Sequence, residues 1–537
     1  MWYHLSNECY RRDTMKQFSS SELNHMSKED LAAMVLQMQQ QINSLNEKVA
    51  ILNARYFGRS TERLEALPGQ MSVFNEAEAA AVEAAAEPTI DLVVVKKKKQ
   101  KGKRKEDLSH LPVRMERHEL SKEELEEIYG ANGWKRLPDE VYSRVEYQPS
   151  VKEVVEHHVA VYTSKRNDDD RIVRANRPVD LLRNSIATPS LVAAIMNGKY
   201  TNAMPLYRIA QDFERDDMTL SRATMANWVI RCSERYLSLV YDRLQKHLCM
   251  QSVIQADETT CQVTKDGRTG ASKSYMFVYR TSELSTGKPV ILYQYGTTRS
   301  KSNVQKFLDG FSGILVSDAF SGYKSLDKND EHIQSAFCWA HARRDYADAL
   351  KALKGGDKSF AHDTVAHKAL VQIAAIYKAD EALKNLTAEE RRIRRQKEVK
   401  PHVEAYFAWV HEQNPTEILS EKTRDGLKYS LNQEAYLKIF LENGEVPIDN
   451  SATERAIRPF TIGRANWHII DTVHGAQASA IVYSLVETAK ANHLKIYEYL
   501  KHLLTEIPKH MDDTNLDFLE DLLPWSQNLP EKCRKKI

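Results

Sequence analysis

The sequence predicts an α/β protein: a mixed sheet flanked by helices, carrying a large helical insertion and preceded by a coiled-coil helix and a mostly helical region. Three observations predict it. Apolar strand-like runs lead into acids at Asp257 and Asp318, a heptad stripe follows Ser27, and a long helical pattern separates Asp318 from the next acid-rich motif. With 537 residues, 42% of them apolar, the chain is long enough for several cores. The net charge of +2 excludes nothing, because the charges are segregated along the chain.

Residues 1–26 form a polar extension without the apolar core of a signal peptide. Ser27-Lys28-Glu29-Asp30 then predicts a helix N-cap. Leu31, Val35, Met38, Ile42, Leu45, Val49, Leu52 and Tyr56 recur at alternating steps of four and three, so 27–67 is expected to be a self-associating coiled coil. An Ala/Glu-rich stretch and the basic run Lys96 to Lys105 make 68–112 a linker able to meet a polyanion. Residues 113–180 mix a helix capped at Ser121 with β-like runs, Val141 to Tyr147 and Val151 to Thr163. Within 181–245, Pro205 to Phe213 and Leu220 to Val229 predict two short helices around a turn at Asp216-Asp217. Exposed Ser221, Arg222, Thr224 and Asn227 on the second suit a helix-turn-helix DNA reader.

From Val253 the pattern turns to strands: Val253 to Ala256, Tyr275 to Arg280, Val290 to Tyr295 and Gly313 to Ser317, with a short helix at Ser302 to Leu308. The first part of this core spans 246–345, the helical insertion 346–445, and the returning core 446–505, followed by a C-terminal tail at 506–537. In the insertion, Arg391 to Arg395 is expected to be a solvated helix face. No apolar run approaches the ~18 residues of a membrane span. Six scattered cysteines without a CxxC pair point to reduced thiols and a cytoplasmic protein rather than a disulfide framework or zinc ribbon.

Acids at strand ends suit phosphodiester cleavage, in which two magnesium ions roughly 4 Å apart activate a hydroxyl nucleophile and stabilise the leaving oxyanion. Magnesium takes hard carboxylate oxygens. Asp257 and Asp318 each end an apolar run, and Glu454 follows Asp449-Asn450-Ser451-Ala452-Thr453, a run rich in helix-capping residues. Glu258 competes with Asp257, because neighbours on a strand point to opposite faces and at most one belongs. Asp449 competes with Glu454 in the same way. Spacing and chemistry alone leave both choices open.

Pro447 to Pro459, continuing through Ile462-Gly463-Arg464-Ala465-Asn466-Trp467, resembles the third-acid signature of insertion sequence 66 family transposases. Ala256-Asp257-Glu258-Thr259, Leu315 to Asp318 with Gly322-Tyr323, and Cys338-Trp339-Ala340-His341-Ala342-Arg343-Arg344 are similar to that family's other motifs. Tyr56 to Glu62 resembles the end of its leucine zipper, and Pro205-Leu206-Tyr207-Arg208 with Trp228 falls at its helix-turn-helix region. The resemblance implies an RNase-H-like catalytic domain whose metal ligands are Asp257, Asp318 and Glu454, holding Mg²⁺, with Mn²⁺ able to substitute. It also implies DNA end cleavage followed by strand transfer into target DNA. Relatives carry paired cysteines before the helix-turn-helix. Residues 106–231 contain none, so 113–180 is expected to be a zinc-ribbon-like module without cysteines, and zinc is not expected.

Arg222, Arg343, Arg344, Arg455, Arg458 and Arg464 are candidate DNA contacts, although Arg455 and Arg458 could equally pair with Glu454 and Asp449. Pro459 is expected to end or kink its helix. His341 and Cys338 are two potential ligands, too few for a zinc site, so His341 is expected to support the core. Expected partners are transposon-end and target DNA, further copies of the chain through the coiled coil, and small accessory proteins of the same element, in a bacterial, nucleoid-associated setting. A DNA-binding protein without catalysis is the competing reading.

Overall fold

A computed structural model describes residues 152–163, 172–175, 178–268, 272–320, 322–323, 332–353, 364–418 and 420–536, with 123, 127 and isolated positions between 27 and 42. The chain divides into two compact units, Met1–Arg59 with Val179–Arg534, and Ser60–Pro178 with Lys535–Ile537. In the second unit, β1 (Val161–Thr163) pairs antiparallel with β2 (Ile172–Arg174). Residues 152–160 form no regular structure, so the run from Val151 contributes only its last three residues to a strand, matching the three its partner offers. The expected strand from Val141 to Tyr147 and the basic linker lie outside the described residues, as does the heptad stripe beyond Ile42.

At the start of the first unit, Ser27 caps a helix as expected: its hydroxyl accepts the Asp30 N–H at 3.0 Å. Val35, Met38 and Ile42 of the apolar stripe are exposed in the single chain.

Downstream come α1 (Pro189–Met196), α2 (Leu206–Arg215), α3 (Arg222–Cys232) and α4 (Ser238–Cys249). The turn between α2 and α3 passes through Asp217 at φ 59°, and the Ser221 hydroxyl accepts the Thr224 N–H at 3.1 Å to start α3. Met225, Trp228 and Val229 bury one face of α3, while Arg222 and Asn227 stay exposed and Thr224 is half-buried.

The sheet is built from β3 (Val253–Lys265), β4 (Lys273–Thr281), β5 (Ile291–Gly296), then, after α5 (Lys301–Phe307), β6 (Gly313–Ser317) and β7 (Ile333–Phe337). Their order is β5-β4-β3-β6-β7. β4 and β5 join antiparallel, β6 and β7 parallel, so the sheet is mixed as expected. Helices follow: α6 (Trp339–Leu353), α7 (Val365–Glu381), α8 (Ala388–Arg394), α9 (Lys400–Glu412) and α10 (Glu421–Lys438). The chain returns through α11 (Ser451–Trp467), β8 (Ile470–Thr472), α12 (Val473–Ala491) and α13 (Ile496–Glu506).

Side-chain alternation along the central strands divides the interior into two cores. Ile254, Ala256 and Leu315 join α12 and α13 on one side; Val253 and Val316 join Trp339, Tyr346, Tyr406 and Phe407 of the helical insertion on the other. The segment 506–537, expected as a tail, folds back instead. Leu519, Leu522, Leu523 and Leu529 are buried, and the Leu522 carbonyl accepts the Tyr499 hydroxyl at 2.8 Å. Among the described residues no helix is long and apolar enough to cross a membrane.

One sequence expectation is corrected here and another narrowed. The cluster from Arg391 to Arg395 is not a uniformly solvated face. Arg392 and Arg394 pair on the surface with Glu389 and Glu398, but Arg391 and Arg395 are buried. Arg395 forks onto Asp380 at 2.7 and 3.1 Å and donates to the carbonyls of Phe440, Asn443 and Val446. Carbonyls beyond the end of α10 lack intrahelical donors, and a guanidinium has enough N–H groups to serve them while neutralised by one carboxylate. Second, Pro459 lies inside α11, which continues to Trp467. Phe460 and Gly463 are buried beyond it, so packing retains the helix despite the missing donor.

Candidate active site

β3 is a strand with two partners along one edge. β6 pairs with Val253 to Gln255, and β8 pairs with Val263 and Lys265. The edge between them is served by α11 side chains instead. Asn450 donates its amide to the Ala256 carbonyl at 2.8 Å, and Arg464 donates to the Thr260 carbonyl and, at 3.2 Å, to the Thr259 hydroxyl. Asn450 is fully buried; its oxygen accepts from Gln255 at 3.1 Å and from the Thr453 hydroxyl at 2.7 Å, and its N–H meets the Cys338 sulfur at 3.1 Å. This knot fixes where α11 begins, hence where Glu454 stands in its first turn. Asn450→Leu is expected to strip the Ala256 carbonyl and Gln255 of partners and lower stability by roughly 2–3 kcal/mol. An unchanged unfolding midpoint in denaturant titration would contradict that.

The register explains the two aspartates. β3 and β6 pair Val253 with Ile314, and the same offset carried forward pairs Asp257 with Asp318. Two parallel strands, ~4.8 Å apart where they pair, thus lead their acids toward one place, Asp318 standing just past the end of β6. Asp257 does not end its strand, as the sequence suggested: β3 runs on to Lys265 against β4. What ends there is the pairing with β6, whose chain turns away at Asp318.

Asp257, Glu258, Asp318 and Glu454 line a cleft of about 340 Å³ with Arg299, Arg344 and His341. Alternation holds, since Glu258 points to the other face, where Tyr323 belongs to the α12 core. Yet Glu258 also borders the cleft, because between Gln255 and Val263 neither β6 nor β8 pairs with that edge of β3. Both neighbours thus line the cleft, from opposite faces of the strand. Of the other competing pair, Asp449 stays outside: it accepts the Tyr377 hydroxyl at 3.0 Å and the Ser451 N–H at 2.9 Å, capping α11.

Burial raises the Asp257 carboxyl to about 8, with Glu258, Asp318 and Glu454 adding repulsion and its bond to the Glu258 N–H opposing. Burial also raises Glu258, against hydrogen bonds from Tyr323 and Arg299. His341 is lowered by burial and then by Arg344, and its Nδ1 is buried without a partner among the described residues. The Cys338 sulfur accepts the Asn450 N–H at 3.1 Å, and His341 meets Cys338 through its backbone N–H on the Cys338 carbonyl at 3.2 Å.

Of the candidate arginines, Arg344 reaches the cleft and donates to Glu454 at 2.9 Å. Arg455 pairs with Glu283 at 2.8 Å, and Arg464 is engaged with β3. Arg343 and Arg458 are half-buried and do not line the cleft. Arg222 lies on α3 over the Tyr207 ring at 5.4 Å. Sequence reasoning missed Arg299, which follows β5 and donates to Asp318 at 3.1 Å and to Glu258. No local pattern marks it; only the packing of β5 beside β4 and β3 brings it there.

Whether the cleft suits magnesium can be judged from its donors. Three carboxylates offer hard oxygens, and their repulsion at Asp257 is what a divalent cation relieves. Among the described residues, no group of three or more His, Cys, Asp or Glu side chains stands at ligand spacing. Arg299 and Arg344 instead take an oxygen each of Asp318 and Glu454.

Fold and cleft together define a class: a mixed-sheet α/β protein with an acidic cleft where two parallel strands part. Comparison with known proteins specifies it further. The model described as "Transposase IS66 family" matches residues 184–478, more than half the chain. "IS66 C-terminal element" matches 484–525, and "Transposase C of IS166 homeodomain" matches 44–115. The chain belongs to the IS66 family of transposases. It is similar to the uncharacterized proteins y4qI (29% identical, 66% of either chain covered) and y4jD (26%, covering 67% of this chain and 70% of the relative) of Sinorhizobium fredii. It thus spans about two thirds of their length.

Proposed function

We propose that this chain cleaves DNA at transposon ends and joins the freed 3′ hydroxyls to target DNA, using Asp257, Asp318 and Glu454. The observation that carries this reading is that Asp257 on β3 and Asp318, just past the end of the parallel-paired β6, line one cleft to which α11 also delivers Glu454. A central strand flanked by antiparallel β4 and β5 and parallel β6 and β7 supports an RNase-H-like core. The three carboxylates would hold Mg²⁺ or Mn²⁺, which supplies an activated nucleophile and charge stabilisation of the leaving oxygen. Backbone N–H groups orient two of the acids: Glu258 N–H on Asp257 at 2.8 Å and Phe320 N–H on Asp318 at 3.1 Å. Exposed Arg208, Arg222, Asn227 and Arg231 offer a surface for DNA, and exposed Val35, Met38 and Ile42 support self-association through the heptad helix. Small accessory proteins of the element and a nucleoid setting complete the proposal.

The test incubates the purified chain with end-sequence oligonucleotides and Mg²⁺ or Mn²⁺. The parent chain is expected to nick and join, and Asp318→Ala to bind the ends without cutting. Undiminished cutting by Asp318→Ala would remove the assignment, and binding without cutting by the parent would favour a non-catalytic DNA-binding protein.

A further inference from the structure

Glu258 is left without a task by the three-acid reading, yet its side chain is only 3% exposed. One oxygen accepts the Tyr323 hydroxyl at 2.6 Å and the other accepts from Arg299. The Arg299 guanidinium lies 3.6 Å from the centre of the Phe320 ring and donates onward to Oδ2 of Asp318 at 3.1 Å. Oδ1 of Asp318 is already taken by the Phe320 N–H at 3.1 Å, so Arg299 sits on the oxygen that remains. Arg344 differs: it is 53% exposed and, among the described residues, pairs with Glu454.

We propose that Glu258 and Tyr323 anchor Arg299 as a resident cation on Asp318, which a divalent metal ion must displace to use that carboxylate. Glu258 is then a positioning residue, acting through Arg299, and not a ligand. The inference rests on the proposed metal site at Asp318. Its physical basis is the fork of the guanidinium, whose N–H groups serve two acids at once. Leaving Asp318 does not strand the arginine, because the enclosed Glu258 keeps it; moving away from Glu258 would leave that buried charge unpaired. Glu258 and Asp318 therefore compete for one guanidinium, and the strength of the first sets how readily the second is released to metal.

This predicts opposite effects from the two partners. Mn²⁺ binding to the full chain without DNA is measured from the electron paramagnetic resonance of free Mn²⁺, for the parent, Arg299→Gln, Glu258→Gln and the double variant. Arg299→Gln removes the competitor and is expected to tighten Mn²⁺ about fivefold, the scale of one partly exposed ion pair. Glu258→Gln leaves Asp318 as the only charged partner of Arg299 and is expected to loosen Mn²⁺ about fivefold. In the Arg299→Gln background the Glu258→Gln effect is expected to shrink below roughly twofold, the coupling a double-mutant cycle isolates. Glu258→Gln keeps volume and can still accept the Tyr323 hydroxyl. Should Arg299→Gln not fold, Arg299→Lys, which keeps charge and loses the fork, carries the test with an expected tightening of about twofold. No tightening on loss of the fork overturns the proposal, as does a Glu258→Gln loosening that persists without Arg299, which would make Glu258 a ligand. Asp318→Asn separates the two levels: if it leaves parent-like Mn²⁺ binding, or the parent binds none, the metal site itself fails and this inference with it.

Discussion

Asp257→Asn is expected to unfold at a higher temperature than the parent chain in the absence of divalent metal, and to cut DNA at least a thousandfold more slowly. The first effect follows from the raised carboxyl. Its ordinary value is 3.8 and its folded value about 8, with burial the larger cause and three neighbouring acids adding to it. A carboxyl raised on folding holds its proton more tightly in the native state, so its contribution is fully present below about pH 4. It is lost progressively as pH rises towards 8. Asparagine cannot ionise, so the variant should gain roughly 2 kcal/mol over the parent near pH 7–8 and almost nothing near pH 4. Thermal unfolding across that window reads the sign directly; a variant less stable at pH 8 than the parent would refute the electrostatic account. The second effect follows from the proposed metal site: removing one of its oxygens would forfeit several kcal/mol of the transition-state stabilisation a bound metal would supply. Added Mn²⁺ should raise the parent's melting temperature by mass action and leave the variant's nearly unchanged.

Arg395→Ala is expected to destabilise the first unit by about 3–5 kcal/mol, although the residue lies in the insertion and outside the cleft. Its removal leaves Asp380 with no guanidinium and the carbonyls of Phe440, Asn443 and Val446 without their donor. Those carbonyls belong to the segment leading from α10 to Asn450 and Glu454, so hydrogen exchange should accelerate there first. Removing the acid as well, in Arg395→Met with Asp380→Leu, should recover much of the loss, because the buried charge goes with its partner. A double variant as unstable as Arg395→Ala would show that the carbonyl bonds, not the ion pair, dominate.

Particular elements show where the sequence was legible. The Ser27 cap, the helices around Asp217, the strands before Asp257 and Asp318 and the helix bearing Glu454 all follow from local periodicity and capping chemistry. The insertion was visible as a change of pattern. Arg391 to Arg395 was misread because five consecutive positions of a helix face in several directions, and composition does not say which direction is covered. Of ending or kinking at Pro459, ending is excluded, because the packing of Phe460 and Gly463 outweighs the local penalty. Asp257 and Glu258 keep opposite faces, as alternation predicts, yet both border one cleft because the pairing with β6 stops at Gln255.

The sequence by itself determined the family, the main run of strands and helices and the short list of acids from which the proposed three are drawn, because these are carried by motifs and local patterns along the chain. One geometric fact was also present unrecognised, since the spacing between Asp257 and Asp318 equals the register of β3 on β6. Tertiary structure alone decided that Glu258 and Arg299 join the site, that Asp449 leaves it, and that Asn450 and Arg464 close the open edge of β3. Hydrogen bonds and ion pairs between segments far apart in the chain depend on which donors and acceptors packing brings within about 3 Å, and no local pattern encodes that distance.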